Sequence, residues 1–165
     1  MTLDPNAETR IVPPGEHEAF DAAGDRYVVL TDGASTDGAY CLMRAILAPG
    51  GGPPTHVHDR EDERFDVLSG QVTFFVGGKR ILAGPGTSVF VPKGVEHAFR
   101  NGTGEQAEML LHVHPSGLEN YFREIGQAVV SMDDPIPPMD EAQVERMREL
   151  APRFGITIIG HPEGA

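Results

Sequence analysis

His56 and His58 stand two residues apart. On an extended strand that spacing puts both imidazoles on one face. Two neutral imidazoles on one face are a good start for a divalent-metal site. Glu63 follows five residues later, past an acidic turn of Asp59, Glu61 and Asp62. A carboxylate there could complete a facial ligand set or act as a base. His97 opens a distant predicted strand and could bring a third imidazole from across a barrel. A single His-x-His pair is weak grounds for metal binding, because surface histidines are usually just solvated. The elements around these residues therefore matter.

From Tyr27 onward, short apolar runs alternate with turn signals. The predicted strands are 26–31, 39–47, 63–69, 71–76, 79–82, 88–91, 97–100 and 107–113. Breaks fall at Pro49 to Pro54, Ser69-Gly70, Gly77-Gly78, Gly84-Pro85-Gly86, Pro92 to Gly94 and Asn101 to Gly104. Many strands with regular turns and no helix between them indicate an all-β sandwich or barrel. Gly77-Gly78 reads as a two-residue hairpin turn. Residues 1–25 are polar and proline-broken, an N-terminal arm with one short strand around Arg10 to Val12. The barrel is expected over 26–114.

The pattern changes at Pro115. Ser116 and Glu119 have the spacing of a capping box. Leu118, Tyr121, Phe122, Ile125 and Val129 then recur at helical spacing. After a proline-rich connector, Asp140 and Gln143 open a second predicted helix with Val144, Met147, Ala151 and Phe154 on one face. Pro152 should end it near Ala151. Ile156 to Ile159 adds a final predicted strand. Residues 115–165 therefore read as two short C-terminal helices packed on the barrel, with apolar stripes that serve as core cover or dimer contact.

A chain of 165 residues favours one domain with its own core. The formal net charge of −12 and the lack of any Lys/Arg cluster argue against nucleic-acid or anionic-membrane partners. Cys41 is the single cysteine, which rules out an internal disulfide and a Cys-rich zinc site. The N-terminal run has no apolar signal region and no stretch reaches membrane-spanning length, so the expected location is the cytoplasm.

Residues 50–70 read Gly50-x5-His56-x-His58-x4-Glu63-x6-Gly70, and residues 86–101 read Gly86-x5-Pro92-x-Gly94-x2-His97-x3-Asn101. Position for position, these resemble the two motifs of the cupin superfamily. The glycines and prolines fit the physics of such a fold. Gly70 and Gly86 sit where the chain must reverse tightly, Pro92 and Gly94 define a turn before His97, and Asn101 can close the next turn on its own backbone. The resemblance implies a double-stranded β-helix, the cupin jelly-roll barrel. It also implies one divalent transition metal held by His56, His58, Glu63 and His97. Fe, Mn, Ni, Co, Cu and Zn all suit three His and one Glu.

A narrower resemblance is to single-domain bacterial cupins of the quercetin 2,3-dioxygenase-like group. The run from Pro53 to Gly70 carries it, together with Gly117 to Phe122 and Arg153 to Ile156. It implies that Glu63 both ligates the metal and takes the proton of a flavonol hydroxyl, after which O2 opens the heterocycle and CO is released. An apolar pocket is expected to raise the pKa of Glu63 for that role. The expected partners are a small-molecule substrate, O2 and a second copy of the chain in a homodimer. The alternatives are a metal-dependent isomerase, cyclase or decarboxylase of secondary metabolism, or a non-catalytic small-ligand-binding cupin. No helix-turn-helix segment precedes the barrel, which counts against a transcription regulator. Expected pocket walls are Tyr40, Leu42, Phe65, Phe74, Phe90, Phe99, Met109 and Leu111. His112 and His114 form a second His-x-His pair without a motif around it. Asp59, Glu61 and Asp62 read as a solvated acidic turn.

Overall fold

The computed structural model of the chain describes residues 9–160. The strands are β1 (Ala19–Ala22), β2 (Asp25–Thr31), β3 (Cys41–Leu47), β4 (Thr55–His58), β5 (Asp62–Ser69), β6 (Val72–Val76), β7 (Lys79–Ala83), β8 (Ser88–Val91), β9 (His97–Arg100) and β10 (Ala107–His114). Then come α1 (Leu118–Ile125), the two-residue strand β11 (Gln127–Ala128), α2 (Glu141–Leu150) and β12 (Ile156–Gly160). The strands form a seven-stranded sheet ordered β11-β1-β2-β3-β10-β5-β8 and a five-stranded sheet ordered β12-β4-β9-β6-β7. Non-sequential neighbours such as β3–β10 and β4–β9 are joined across the barrel by antiparallel pairing. This is the all-β double-stranded β-helix, with two short C-terminal helices.

Period-2 patterning decides which side chains meet between the sheets. On β10, Ala107, Met109, Leu111 and Val113 are buried inside. The intervening Glu108, Leu110, His112 and His114 face the other way. Met43 and Leu47 of β3, Phe65 and Val67 of β5, and Val72 and Phe74 of β6 complete the centre of the core. Phe65, Phe74 and Phe99 pack ring against ring, with centroids 5.3 to 6.1 Å apart.

Two turns need glycine for physical reasons. Gly77 and Gly78 both have positive φ (54° and 77°) and join β6 to β7, as the hairpin reading requires. Gly52 has φ 133°, and a Cβ there would lie 2.0 Å from the Phe99 carbonyl oxygen. Only glycine lets the loop before β4 approach β9 this closely. Asn101 holds the same loop region. Its Oδ1 accepts from Thr103 N (3.0 Å), closing its own turn, while its Nδ2 donates to Leu47 O and Glu105 O.

Three local expectations are corrected. No strand forms at Arg10 to Val12; the first strand is Ala19–Ala22, paired with β2. The Ser116 capping box does not form. Gly117 is the N-cap of α1, and the Glu119 carboxylate instead accepts from Gly33 N (2.9 Å) and Gly117 N (2.8 Å). Helix α1 stops at Ile125, before Val129, because residues 127 and 128 pair with β1. The second cap is as expected, with Asp140 Oδ1 accepting from Gln143 N (2.7 Å). The Gln143 side chain, however, reaches to Asp21 O and Ile125 O. Pro152 lies in a 3-10 turn that follows directly on α2. Among the described residues, no helix is long and apolar enough to cross a membrane.

Candidate metal centre

The two sheets bring together residues that are distant in sequence. In the five-stranded sheet, β4 carries His56 and His58, and His97 of β9 is the direct cross-strand partner of His56. Their rings lie 4.4 Å apart. Glu63 comes from β5 of the opposite sheet, between Val113 of β10 and Val91 of β8. One candidate ligand atom from each of His56, His58, Glu63 and His97 lies within 4.8 Å of the others, and all four residues are buried.

The backbone and one side chain fix how the imidazoles point. His56 Nδ1 is 2.8 Å from Pro54 O, and His97 Nδ1 is 3.0 Å from Val95 O. His58 Nδ1 is 3.3 Å from Glu61 Oε2. With each Nδ1–H donated outward, the Nε2 lone pairs are left to face inward. Glu63 Oε2 lies 2.7 Å from His97 Nε2 and 3.5 Å from His58 Nε2. Even so, Glu63 Oε2 and His97 Nε2 are buried with no well-aligned hydrogen-bond partner. Buried polar atoms left this way signal a missing partner between them. Three neutral nitrogens and one carboxylate oxygen could hold a single divalent transition metal ion here.

The electrostatics separate the members. Burial, reinforced by His97 and His58, lowers the His56 pKa to about 3, so its ring stays neutral. Burial also works against charge on His58, but Glu63 and Glu61 outweigh it and raise its pKa. For Glu63 the expected rise does not occur. Burial alone would raise its pKa, yet His58 and His97 overcome this and hold it at about 2. The carboxylate is ionised throughout the physiological range.

The acidic turn is less solvated than the sequence suggests. Only Asp59 stands clear, beside Arg60. Glu61 is buried against His58. Asp62 Oδ1 accepts from Lys93 N (2.9 Å), and Gly94 N donates to His58 O (2.7 Å). These two bonds clamp the Pro92–Gly94 turn onto the His58 region and so place His97. Spacing alone could not show which of four neighbouring acids turn inward.

His56, His58 and Glu63 open on a cavity of about 50 Å³, room for a few water molecules. Of the expected walls, Phe99 and Leu111 line it. Phe65, Phe74 and Met109 belong to the core below, Phe90 is exposed, and Tyr40 and Leu42 lie outside the cavity. The remaining walls are Tyr27 of β2, Pro53 and Pro54 of the first motif, Leu118, Tyr121, Phe122 and Ile125 of α1, Met147 of α2, and Ile156 and Ile158 of β12. Tyr27 stacks on Phe122 with centroids 4.0 Å apart and planes 14° from parallel. Strand β12 pairs directly with β4, Ile156 opposite His58 and Ile158 opposite His56. The C-terminal segment is thus both roof of the cavity and sheet partner of the histidine strand. His112 lies away from the cavity, edge-on to Tyr40 at 4.9 Å, and His114 shares its outward face.

Comparison with known proteins agrees with this architecture. Residues 43–114 match the Cupin domain family. A quercetin 2,3-dioxygenase of Bacillus subtilis is 24% identical over 124 residues, covering 75% of this chain and 36% of the relative. A probable oxidoreductase of Hypocrea virens, virH, is 27% identical over 131 residues, covering 75% of this chain and 60% of the relative. The chain therefore spans about a third of the first relative and three fifths of the second. The polyketide cyclase RemF of Streptomyces resistomycificus shares the fold, with a TM-score of 0.58 at 22% identity over 66% of this chain and 81% of RemF. Residues 43–114, which carry both histidine motifs inside a double-stranded β-helix, form a cupin domain.

Proposed function

We propose that this chain is a metal-dependent dioxygenase that cleaves a flavonol-like or other aromatic small molecule with O2. The observation that carries the reading is the meeting of an ionised, buried Glu63 with three inward-facing imidazoles at the floor of an aromatic-walled cavity. The similarity to a quercetin 2,3-dioxygenase supports the choice of chemistry. A divalent metal held by His56, His58, Glu63 and His97 would supply positive charge for a substrate oxyanion and redox capacity toward O2.

The chain's own residues account for the rest. Glu63 accepts the proton of the substrate hydroxyl. His58 and His97 keep Glu63 ionised despite its burial, so the carboxylate is in the form that accepts a proton. Tyr27, Phe99 and Phe122 offer flat faces to an aromatic ring. Leu111, Ile125 and Ile156 keep water from the reacting atoms. Helix α1 and strand β12 form the outer walls of the cavity and so face whatever substrate occupies it.

The same four residues also suit a second reading, a metal-dependent isomerase, cyclase or decarboxylase that works without O2, in which the metal would polarise a carbonyl and Glu63 would move a proton. The test is an oxygen-electrode assay with a panel of flavonols and simpler aromatic phenols, on protein loaded separately with Fe(II), Mn(II), Ni(II), Co(II), Cu(II) and Zn(II). O2 uptake matched by loss of flavonol absorbance is the expected result. Turnover without O2 uptake supports the second reading, and no O2 uptake with any flavonol or simpler aromatic phenol in the panel contradicts the first.

A further inference from the structure

The three histidines are not supported alike. His56 and His97 each present Nδ1 to a backbone carbonyl two residues earlier. His58 presents Nδ1 to a carboxylate, Glu61 Oε2, at 3.3 Å. The Glu61 side chain is 6% exposed. It is closed off on its far side by the start of α1, where a Cβ built on Gly117 would lie 3.8 Å from Glu61 Oε1.

A carboxylate in such a place needs compensating charge, because burying an isolated anion is costly. Two buried carboxylates, Glu61 and Glu63, flank the same imidazole of His58. One divalent cation among neutral imidazoles balances both charges. Without Glu61, the same set would carry a net positive charge inside the protein. The carboxylate also holds His58 in the tautomer that leaves Nε2 free and makes the ring a stronger donor.

We infer that Glu61 is a positioning residue for the metal centre: it orients His58 through Nδ1 and supplies the second negative charge that matches the site to a divalent ion. This rests on the reading that His56, His58, Glu63 and His97 hold a metal.

The test is Co(II) titration of the full-length apoprotein, following the visible d–d bands and the dissociation constant. Wild type is compared with Glu61→Ala and Glu61→Gln. Glutamine can still accept from Nδ1–H but carries no charge, so the pair separates orientation from charge. Glu61→Ala is expected to weaken Co(II) binding about 10- to 100-fold and to shift the bands. Glu61→Gln is expected to recover part of that loss and to keep a wild-type thermal melt as apoprotein. Co(II) affinity within about twofold of wild type and unchanged bands in Glu61→Gln would overturn the inference, even if Glu61→Ala failed to fold. Wild-type protein that took up no Co(II) would overturn the metal reading and this inference together. Normal wild-type binding with insensitive Glu61 variants would overturn this inference alone.

Discussion

His97 Nε2 and Glu63 Oε2 lie 2.7 Å apart across the two sheets, buried, and too poorly aligned to satisfy each other by a hydrogen bond. Each residue reaches this point by independent means. His97 follows the Pro92–Gly94 turn that Asp62 and His58 clamp, and Glu63 lies inside β5 between two paired neighbours. The contact puts a carboxylate oxygen and an imidazole nitrogen where one divalent ion could bind both.

Glu63 is the residue on which the proposed chemistry turns. Glu63→Gln keeps the size of the side chain but cannot accept the substrate proton. Turnover at saturating metal is expected to fall about 10²- to 10⁴-fold, the usual contribution of a positioned base. Steady-state kinetics with the best flavonol checks this, and a variant with unchanged turnover would remove the proton-transfer role.

Phe122 is 7% exposed and joins the helical roof to the barrel by stacking on Tyr27. Phe122→Ala is expected to cost about 3 kcal/mol of stability, at the low end for a buried phenylalanine. It should also raise KM, since one of the flat walls is lost. Urea denaturation and kinetics measure the two effects, with metal content unchanged as the control. A stability loss below about 1 kcal/mol would show that the roof is not packed as described.

Asp25 gives a pH signature distinct from the metal ligands. It is fully buried on β2, with Oδ1 accepting from Ala48 N (3.0 Å) and Oδ2 unpartnered. Burial raises its pKa from 3.8 to about 8, against the smaller opposing pulls of Ala48 N–H and Arg100. The carboxyl is therefore protonated in the folded chain up to about pH 8, but ionises near pH 4 once unfolded. Its favourable contribution is fully present below pH 3.8 and is lost as pH rises toward 8. Asp25→Asn removes that titration while keeping the acceptor for Ala48. The variant should match wild type near pH 4 and exceed it at pH 8 in chemical denaturation. Parallel stability curves for the two proteins across that range would contradict the assignment.

Much of the barrel was legible because its punctuation is chemical. Gly77-Gly78, Pro92 to Gly94 and Asn101 leave few conformations open, and β8 and β9 begin and end where those signals place them. The four candidate ligands were legible because two fixed spacings surround them. Strand β1, Ala-Phe-Asp-Ala, was not, since it has no β-branched residue and no alternation. Glu61 and Asp62 were not, because neighbouring acids look alike until the turn is folded. The cavity walls escaped for a different reason. Tyr27, Phe122, Met147 and Ile156 come from four separate segments, and no local pattern records that they meet.

The claim that His56, His58, Glu63 and His97 form one metal centre is tested most directly by metal stoichiometry. Full-length wild type and His97→Ala, purified identically and loaded with the same divalent metal, are compared by inductively coupled plasma mass spectrometry after exhaustive dialysis. About one metal ion per wild-type chain is expected, as four ligands around a single centre require, and a large loss in His97→Ala with the fold retained by circular dichroism. Equal metal content in the two proteins, or none in wild type, would contradict that claim.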